Sequence, residues 1–322
     1  KNAAEGQTLP IRFHFVSENH TDDAKSSSSA SICLPEDTFH NVLGHLPGRD
    51  VVRSSLVDKA WLSASRSPLL WTALDQTSGF TNNSKKKNMT SVLQLLARPQ
   101  FANLKSLALP TNIKLGKTSL KQIAKLCPGL EELDLGYYHK FGGLHAKDSD
   151  LIDVAEELPS LSVVGFDMWN ANNFGVQAMV GSMGGTLRGL RVQGDTITKH
   201  YLSDNTMATI VKSCPDLKEF EYVLSNYSYD TDWDCLGSGG VVALVRGCRK
   251  LERLTLSNAQ NVSIDAFEIL VSLLEDADEE TNLRILTISG MDKVFEGEKG
   301  SRIKARLEAL IDNVSIVKQG WW

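Results

Sequence analysis

Leu130-Glu131-Glu132-Leu133-Asp134-Leu135 is the clearest copy of a pattern that recurs through most of the 322-residue chain. Apolar residues stand at its first, fourth and sixth positions. Because side chains on a strand alternate between two faces, the fourth and sixth residues point into a core and their neighbours point away. The pattern predicts a short strand with one buried face. Its seven copies are Leu104/Leu107/Leu109, Leu130/Leu133/Leu135, Leu161/Val164/Phe166, Leu187/Leu190/Val192, Leu217/Phe220/Tyr222, Leu251/Leu254/Leu256 and Leu283/Leu286/Ile288.

A stretch whose apolar residues have helical spacing separates each copy from the next. Pro128, Pro159 and Pro215 stand where three of these stretches end, because proline interrupts a helix. The first residues of successive copies lie 26 to 34 positions apart, which leaves room for one strand and one helix per unit. A unit of this size cannot bury a core alone, so stacked units are expected. The predicted helices cover 120–127, 149–158, 176–183, 206–214, 240–248, 265–274 and 303–311.

This arrangement resembles leucine-rich repeats, in particular the subclass in which a cysteine precedes the strand, as Cys127 and Cys214 do here. The resemblance implies an α/β solenoid, a horseshoe of about seven repeats whose parallel strands line a concave face. The units are near or above the roughly 20 to 29 residues typical of such repeats, which suits a full helix as the return arm. Residues 314–322 are expected to add a capping strand. The alternative is a tail that threads Trp321 and Trp322 into the concave face.

A different pattern occupies residues 34–74. Leu34-Pro35-Glu36-Asp37 predicts a helix start, because proline and acidic residues suit the first turn. Pro47-Gly48 then interrupts the apolar spacing, and Asp50 can cap a second helix. Three helices of about ten residues bury little apolar surface by themselves, so part of this surface is expected to await a partner helix.

This segment resembles the F-box, a small all-α module that docks proteins onto cullin-based ubiquitin ligases. The resemblance implies that it binds a Skp-type adaptor and, through it, a cullin. It also implies a substrate receptor that holds a target protein for ubiquitylation and proteasomal degradation and performs no catalysis itself. A non-ligase scaffold or regulator built from the same modules is the alternative. The implied adaptor-binding residues are Leu34, Pro35, Val42, Leu46, Leu56, Val57, Trp61, Leu69 and Trp71.

Shifts in composition divide the chain into four parts. Residues 1–31 are polar and include four consecutive serines, so a disordered or flexible tail is expected. The F-box-like segment spans 32–76, and a linker with the N-terminal cap of the solenoid spans 77–100. The repeats and their C-terminal cap occupy 101–322.

The overall charge and the cysteines exclude several classes of partner and cofactor. A net charge of -5 and a pI near 5.8 indicate no attraction to nucleic acid or an anionic membrane. The five cysteines are far apart and lack zinc-site spacing, so no metal or cofactor is expected. No run approaches the roughly 18 apolar residues of a membrane span. An intracellular protein, cytoplasmic or nuclear, is therefore expected.

Signatures of enzymes occur only as fragments. Gly116-Lys117-Thr118 matches the end of a phosphate-binding loop, but the first glycine of that motif would fall at Thr111. The nucleophile motif G-x-S-x-G and the zinc motif H-E-x-x-H are both missing from the sequence. No catalytic residue is predicted.

Candidate residues for target binding lie on the predicted concave face and in the loops that leave it. The central strands carry mainly acidic outward residues with two interspersed arginines, which favours a basic or mixed-charge partner. A merely soluble strand face is the alternative. The loops are rich in aromatic residues, which either form a binding rim or fold inward. The candidates are Glu132, Asp134, Tyr137, Tyr138, Asp167, Trp169, Arg191, Glu219, Glu221, Tyr227, Tyr229, Trp233 and Arg253.

Overall fold

The computed structural model describes most of the chain from residue 89 onward and shorter parts before it. All described residues belong to one compact unit, Glu36–Trp322. The described residues are 43, 51, 59–67, 70–75, 89–109, 113, 115–136, 146–195, 200–225, 235–259, 261–276 and 281–317.

Nine parallel strands form a single sheet in which each strand lies beside its predecessor in the chain. The strands are β1 (Ala73–Asp75), β2 (Ser106–Ala108), β3 (Glu132–Leu135), β4 (Val163–Asp167), β5 (Gly189–Asp195), β6 (Glu219–Ser225), β7 (Arg253–Ser257), β8 (Ile285–Ser289) and β9 (Asn313–Val317).

Helices connect the strands, and short 3-10 turns at Pro99–Phe101 and Asp292–Phe295 precede β2 and the last helix. Parallel neighbours joined in sequence order require crossovers of one hand, which place the helices on one face of the sheet. We call the opposite face the open face. The helices are α1 (Lys59–Ser65), α2 (Met89–Leu96), α3 (Lys117–Leu126), α4 (Asp148–Glu157), α5 (Asn173–Met183), α6 (Asp204–Ser213), α7 (Ser238–Gly247), α8 (Ile264–Glu275) and α9 (Gly297–Leu310).

The register of the sheet follows the sequence pattern. Leu133 of β3 pairs with Leu107 on one side and with Val164 on the other, and the same apolar position stays aligned through β8. These side chains are fully buried. The predicted α/β solenoid is confirmed, and all seven copies of the pattern lie at strands β2 to β8.

The sheet also has a strand at each end beyond those seven. β1 pairs with β2 and lies within the range 32–76 that the sequence assigns to the F-box-like segment. β9 pairs with β8, where a final strand is expected. Val314 and Ile316 of β9 are only half-buried, because no further strand covers them in the described part of the chain. Trp321 and Trp322 lie outside the described residues, so the threading alternative stays untested.

A ladder of side-chain hydrogen bonds joins the starts of successive helices. The first residue of one helix accepts a bond from the backbone N–H of the residue that caps the next helix. These bonds occupy cap N–H groups that lack an intrahelical acceptor. The four bonds, each from a backbone N–H to a side-chain oxygen, run from Asn172 to Asp148 at 2.7 Å, from Ser203 to Asn173 at 3.3 Å, from Gly237 to Asp204 at 2.8 Å and from Ser263 to Ser238 at 2.9 Å.

Small residues in the first turn of the next helix make room for this ladder. A Cβ at Gly240 would lie 2.6 Å from the Asp204 carboxylate, and one at Gly175 would lie 2.7 Å from the Cα of Asp148. Thr206 occupies the corresponding position of α6 and donates its hydroxyl to Asn173 at 2.8 Å. The acids therefore lie over the positive ends of the following helices, where negative charge is favoured.

Three cysteines fill buried corners where helices end. Cys127, Cys214 and Cys248 follow the last residues of α3, α6 and α7, and all three are free thiols. The Cys248 thiol lies 3.4 Å from the Cys214 carbonyl oxygen, which links two neighbouring units. Burial raises the pKa of Cys127 and Cys214 to about 11 and that of Cys248 to about 12.

These thiols are expected to resist alkylation. At pH 8 they stay protonated and inaccessible, so iodoacetamide should leave all three unmodified in the native chain and label them in urea, as read by peptide mass spectrometry. Because their folded pKa values exceed the reference value of 9.0, their contribution to stability is complete below pH 9 and declines as pH rises toward 11 to 12. Native labelling at the rate of a free thiol would contradict this.

Candidate protein-binding face

The strand register brings the predicted outward residues together on the open face. Glu132 of β3, Val163 of β4, Gly189 of β5, Glu219 of β6 and Arg253 of β7 are successive partners across the sheet. Neighbouring strands are about 4.8 Å apart, so long charged side chains one or two strands apart can reach one another. The second line, two residues further along each strand, contains Asp134, Gly165, Arg191, Glu221 and Thr255.

Arg191 lies at the centre of a row of charges. One Nη donates to Glu132 two strands away, and the other is 3.6 Å from the Glu219 carboxylate. The guanidinium can cross the intervening strand because Gly165, its neighbour on β4, has no side chain. Arg253 extends the row, with its Nε 3.9 Å from Glu219. We call Glu132, Arg191, Glu219 and Arg253 the charged row.

Two of the predicted acidic residues also shape the loops that follow their strands. Asp134 accepts the Gly136 N–H at 2.8 Å, and Asp167 accepts the Trp169 N–H at 3.2 Å. Both carboxylates are buried. A side chain that accepts the N–H two residues ahead stabilises a tight turn. These contacts give both residues a structural role, and their contact with a target stays a prediction.

The open face is acidic in the described residues. From β3 to β9, six carboxylates and two guanidinium groups lie at its outward positions, which leaves four negative charges in excess. Asp195, at the end of β5, is one of the six and is buried; the sequence pattern did not single it out, because it lies beyond the six-residue unit. The six acids are Glu132, Asp134, Asp167, Asp195, Glu219 and Glu221.

Two exposed aromatic side chains lie where β4 leads into α5. Trp169 is 37% exposed and Phe174 is 65% exposed. Their backbone is held in place: His200 Nδ1 lies 3.1 Å from the carbonyl oxygens of Met168 and Trp169, and Asn172 accepts the Phe174 N–H at 2.7 Å. An aromatic residue on a fixed backbone loses little freedom on binding. Nothing in the sequence pattern indicates this role of His200.

Several predicted residues lie outside the described residues. Among the target-binding candidates these are Tyr137, Tyr138, Tyr227, Tyr229 and Trp233; among the adaptor-binding candidates they are Leu34, Pro35, Val42, Leu46, Leu56, Val57 and Leu69. Trp61 lies in α1, and its side chain is not described. Their roles stay predictions.

Trp71 joins the end of the F-box-like segment to the sheet. Its indole N–H donates to the Ser65 carbonyl oxygen at 2.7 Å, and its ring packs edge-on against Phe101 with centroids 5.3 Å apart. The side chain is buried, and its contact with an adaptor stays a prediction. Together with the pairing of β1 and β2, these contacts make Trp71 and Leu74 part of the solenoid core.

The described residues contain neither a candidate metal centre nor a helix that could span a membrane. No group of three or more histidine, cysteine or acidic side chains there is arranged to hold a metal ion. None of the described helices is both long and apolar enough to cross a bilayer.

Parallel strands, alternating helices and a leucine-rich core define the class of this protein as an α/β solenoid. No protein-family model matches the chain, and no curated protein is similar enough in sequence to match. The fold assignment therefore rests on the strand order and register of the chain itself.

Solved structures with partial similarity to this chain include the following three. A chain of the Rad7–Elc1 complex from yeast is 16% identical with a TM-score of 0.40, over 80% of this chain and 61% of that one. The leucine-rich-repeat-containing protein LegL7 from Legionella pneumophila is 13% identical with a TM-score of 0.44, over 77% and 83%. A chain of the TLR13–ssRNA13 complex is 16% identical with a TM-score of 0.36, over 68% and 34%. The chain thus spans less than two thirds of the Rad7–Elc1 match.

Proposed function

We propose that this protein is the substrate-recognition subunit of a Skp/cullin/F-box ubiquitin ligase. Residues 34–74 bind the Skp-type adaptor, and the open face with its aromatic rim binds the target protein. The chain performs no catalysis. It raises the rate of ubiquitin transfer by holding the target near the conjugating enzyme that the cullin recruits, which is an effect of proximity.

One observation carries the proposal: the docking segment continues directly into the sheet that carries the charged row. Trp71 packs on Phe101, and β1 pairs with β2. A target on the open face is then held at a fixed position relative to the end of the docking segment. Such a connection suits a receptor, because proximity accelerates a reaction only when the two partners are held in a defined geometry.

The charged row suits a target of mixed charge. Glu132 and Glu219 both contact Arg191 across the strands, so the row is already fixed before a partner arrives. Its side chains are about a quarter to a half exposed, which leaves them open to a partner's charges. Complementary charges at such a surface select partners and accelerate their association.

Trp169 is expected to contribute more to target binding than any charged residue of the face. Trp169→Ala should lower the recovery of bound targets about tenfold, because exposed aromatic residues on fixed backbones are typical binding hot spots. Ile269→Ala is the control, since Ile269 is similarly exposed on α8. The measurement is quantitative mass spectrometry of proteins labelled by a proximity-labelling fusion. Equal recovery with both variants would exclude the rim from target binding.

Proximity labelling also tests the function as a whole. The intact chain is compared with Leu34→Ala/Pro35→Ala, and Leu9→Ala/Pro10→Ala serves as the matched control because it removes the same dipeptide from the polar start. Labelled targets should accumulate and live longer with the first variant and turn over normally with the control. Unchanged target lifetimes with both variants would argue against a ligase receptor.

Co-purification from the same cells distinguishes a ligase receptor from a non-ligase scaffold or regulator. A ligase receptor should co-purify with both the adaptor and a cullin, and both should be lost together in Leu34→Ala/Pro35→Ala. Co-purification of the adaptor without a cullin would instead identify a scaffold or regulator that uses the docking segment alone.

A further inference from the structure

A second charged surface lies along the edge of the sheet where strands β5, β6 and β7 begin. The exposed aromatic residues Trp169 and Phe174 lie at the other edge, where the strands end. The three connections that enter β5, β6 and β7, together with the last turns of the helices before them, contain six basic residues and two acidic ones, a surplus of four positive charges in a chain whose net charge is -5. We call this surface the basic edge. Its cations are Arg188, Lys212, Lys218, Arg246, Arg249 and Lys250, and its carboxylates are Asp216 and Glu252.

Acidic residues end the helices of the units on either side of the basic edge, and Arg284 continues its line of residues before β8. Helix α4 ends with Glu156 and Glu157, and α8 ends with Glu275, which Asp276 follows. Acidic residues therefore border the surface on both sides. Cations near helix C-termini are common because they suit the helix dipole, which accounts for Lys212 and Arg246. The helix dipole does not account for the cations that lie between the helices and the strands.

Backbone hydrogen bonds hold part of the basic edge in line. The Lys218 N–H donates to the Arg188 carbonyl at 2.7 Å, and the Glu252 N–H donates to the Lys218 carbonyl at 2.8 Å. These residues are thus neighbours across three successive strands, at a spacing of about 4.8 Å. Two residues before Glu252 and Lys218 stand Lys250 and Asp216. The Lys250 ammonium lies 2.7 Å from the Asp216 carboxylate, and the Arg188 guanidinium lies 3.4 Å from the same carboxylate.

The ion pairs within the basic edge leave its cations available. Lys218 contacts Glu252 at 2.8 Å, and about half of each side chain is exposed. Exposed pairs of this kind contribute little to stability, so a partner's carboxylates can replace the internal ones at small cost. The hydrogen bond from Lys250 lowers the pKa of Asp216, and the hydrogen bond from Lys218 lowers the pKa of Glu252.

We propose that the basic edge is a second docking surface, which binds an acidic protein segment with about four consecutive carboxylates. The outer strands β5 and β7 are about 10 Å apart, and an extended chain advances about 3.3 Å per residue, so four residues span the surface. Asp216 and Glu252 between the cations disfavour a continuous polyphosphate, and so does the negative net charge of the whole chain. An acidic protein segment is therefore favoured over a nucleic acid. This surface is separate from the open face and adds a partner to the proposed function.

A binding titration tests the proposal with the full chain. The probe is a fluorescein-labelled peptide with four consecutive glutamates, followed by fluorescence anisotropy at about 50 mM salt, where exposed charges are weakly screened. The variant Lys218→Gln/Lys250→Gln removes two cations of the basic edge. The control Lys117→Gln/Lys121→Gln removes two equally exposed lysines, which pair with Glu156 and Glu157 on the neighbouring helix. Circular dichroism confirms that both variants fold.

The expected result is saturable binding that weakens about tenfold in Lys218→Gln/Lys250→Gln and less than twofold in the control. Binding should also weaken as salt rises. The proposal is overturned if the peptide does not bind the intact chain, or if both variants lose affinity equally, since the attraction would then be non-specific. It is also overturned if a 20-nucleotide single-stranded RNA binds more tightly than the peptide and the same variant abolishes that binding.

Discussion

Gly184→Ala is expected to destabilise the protein by about 3 kcal/mol, because the helices α5 and α6 meet at this residue. A Cβ at Gly184 would lie 2.7 Å from the carbonyl carbon of Ser213 and closer still to its oxygen. Backbone cannot move aside as a flexible side chain can. The backbone of Gly184 is in the right-handed helical region, so alanine would gain about 1 kcal/mol of helix propensity, which the clash exceeds.

Gly185→Ala is the matched control for this experiment. No atom lies within 4 Å of a Cβ at that position, so stability should change by less than about 0.5 kcal/mol. Urea unfolding followed by circular dichroism measures both variants. Similar midpoints for the two would show that α5 and α6 are not packed as closely as described here.

Asp204→Ala should cost about 2 kcal/mol by breaking the ladder between helix starts. The variant leaves the Gly237 N–H without its charged acceptor, and hydrogen bonds to charged groups contribute about 1.5 to 3 kcal/mol. It also removes a carboxylate from the N-terminus of α7, where the helix dipole favours negative charge.

Asp265→Ala provides the comparison for the ladder. Asp265 also lies in the first turn of a helix, but it is exposed and contacts Lys299 at the surface. Its loss should cost under about 1 kcal/mol, since exposed ion pairs and dipole contacts are weak. Thermal unfolding of both variants gives the two values. An equal loss in both would mean that the ladder contributes nothing beyond the dipole.

The strands could be predicted because the spacing of their apolar residues is tightly constrained. A strand with one buried face must be apolar at every second residue, and a slip of one position would expose the whole set. The same pattern explains the end strands β1 and β9, which are not among the seven leucine-rich copies. Trp71 and Leu74 have the spacing of the first two residues of a copy, and Ile311, Val314 and Ile316 form a complete copy in which isoleucine and valine replace leucine.

Helix starts were predicted a few residues too late. The sequence places the start of α5 at Val176, whereas the helix begins at Asn173; α3 likewise begins at Lys117 and not at Leu120. An apolar pattern begins at the first residue that faces the core, but the first turn of a helix is polar. The ladder was hidden for the same reason, because it consists of these first-turn residues.

The charged row could be predicted only in part. Strand alternation places Glu132, Arg191 and Glu219 on one face, and the structure has them there. The contact between Arg191 and Glu132 spans 59 residues and depends on the missing side chain of Gly165 between them. The basic edge was not predicted from the sequence, because its cations are far apart in the chain and come together only when the units stack.

Calorimetric titration of the full chain with a purified Skp-type adaptor tests the central claim most directly. The account predicts saturable one-to-one binding, unchanged in Leu9→Ala/Pro10→Ala and at least about tenfold weaker in Leu34→Ala/Pro35→Ala. No binding by the intact chain, or equal binding by both variants, would contradict it.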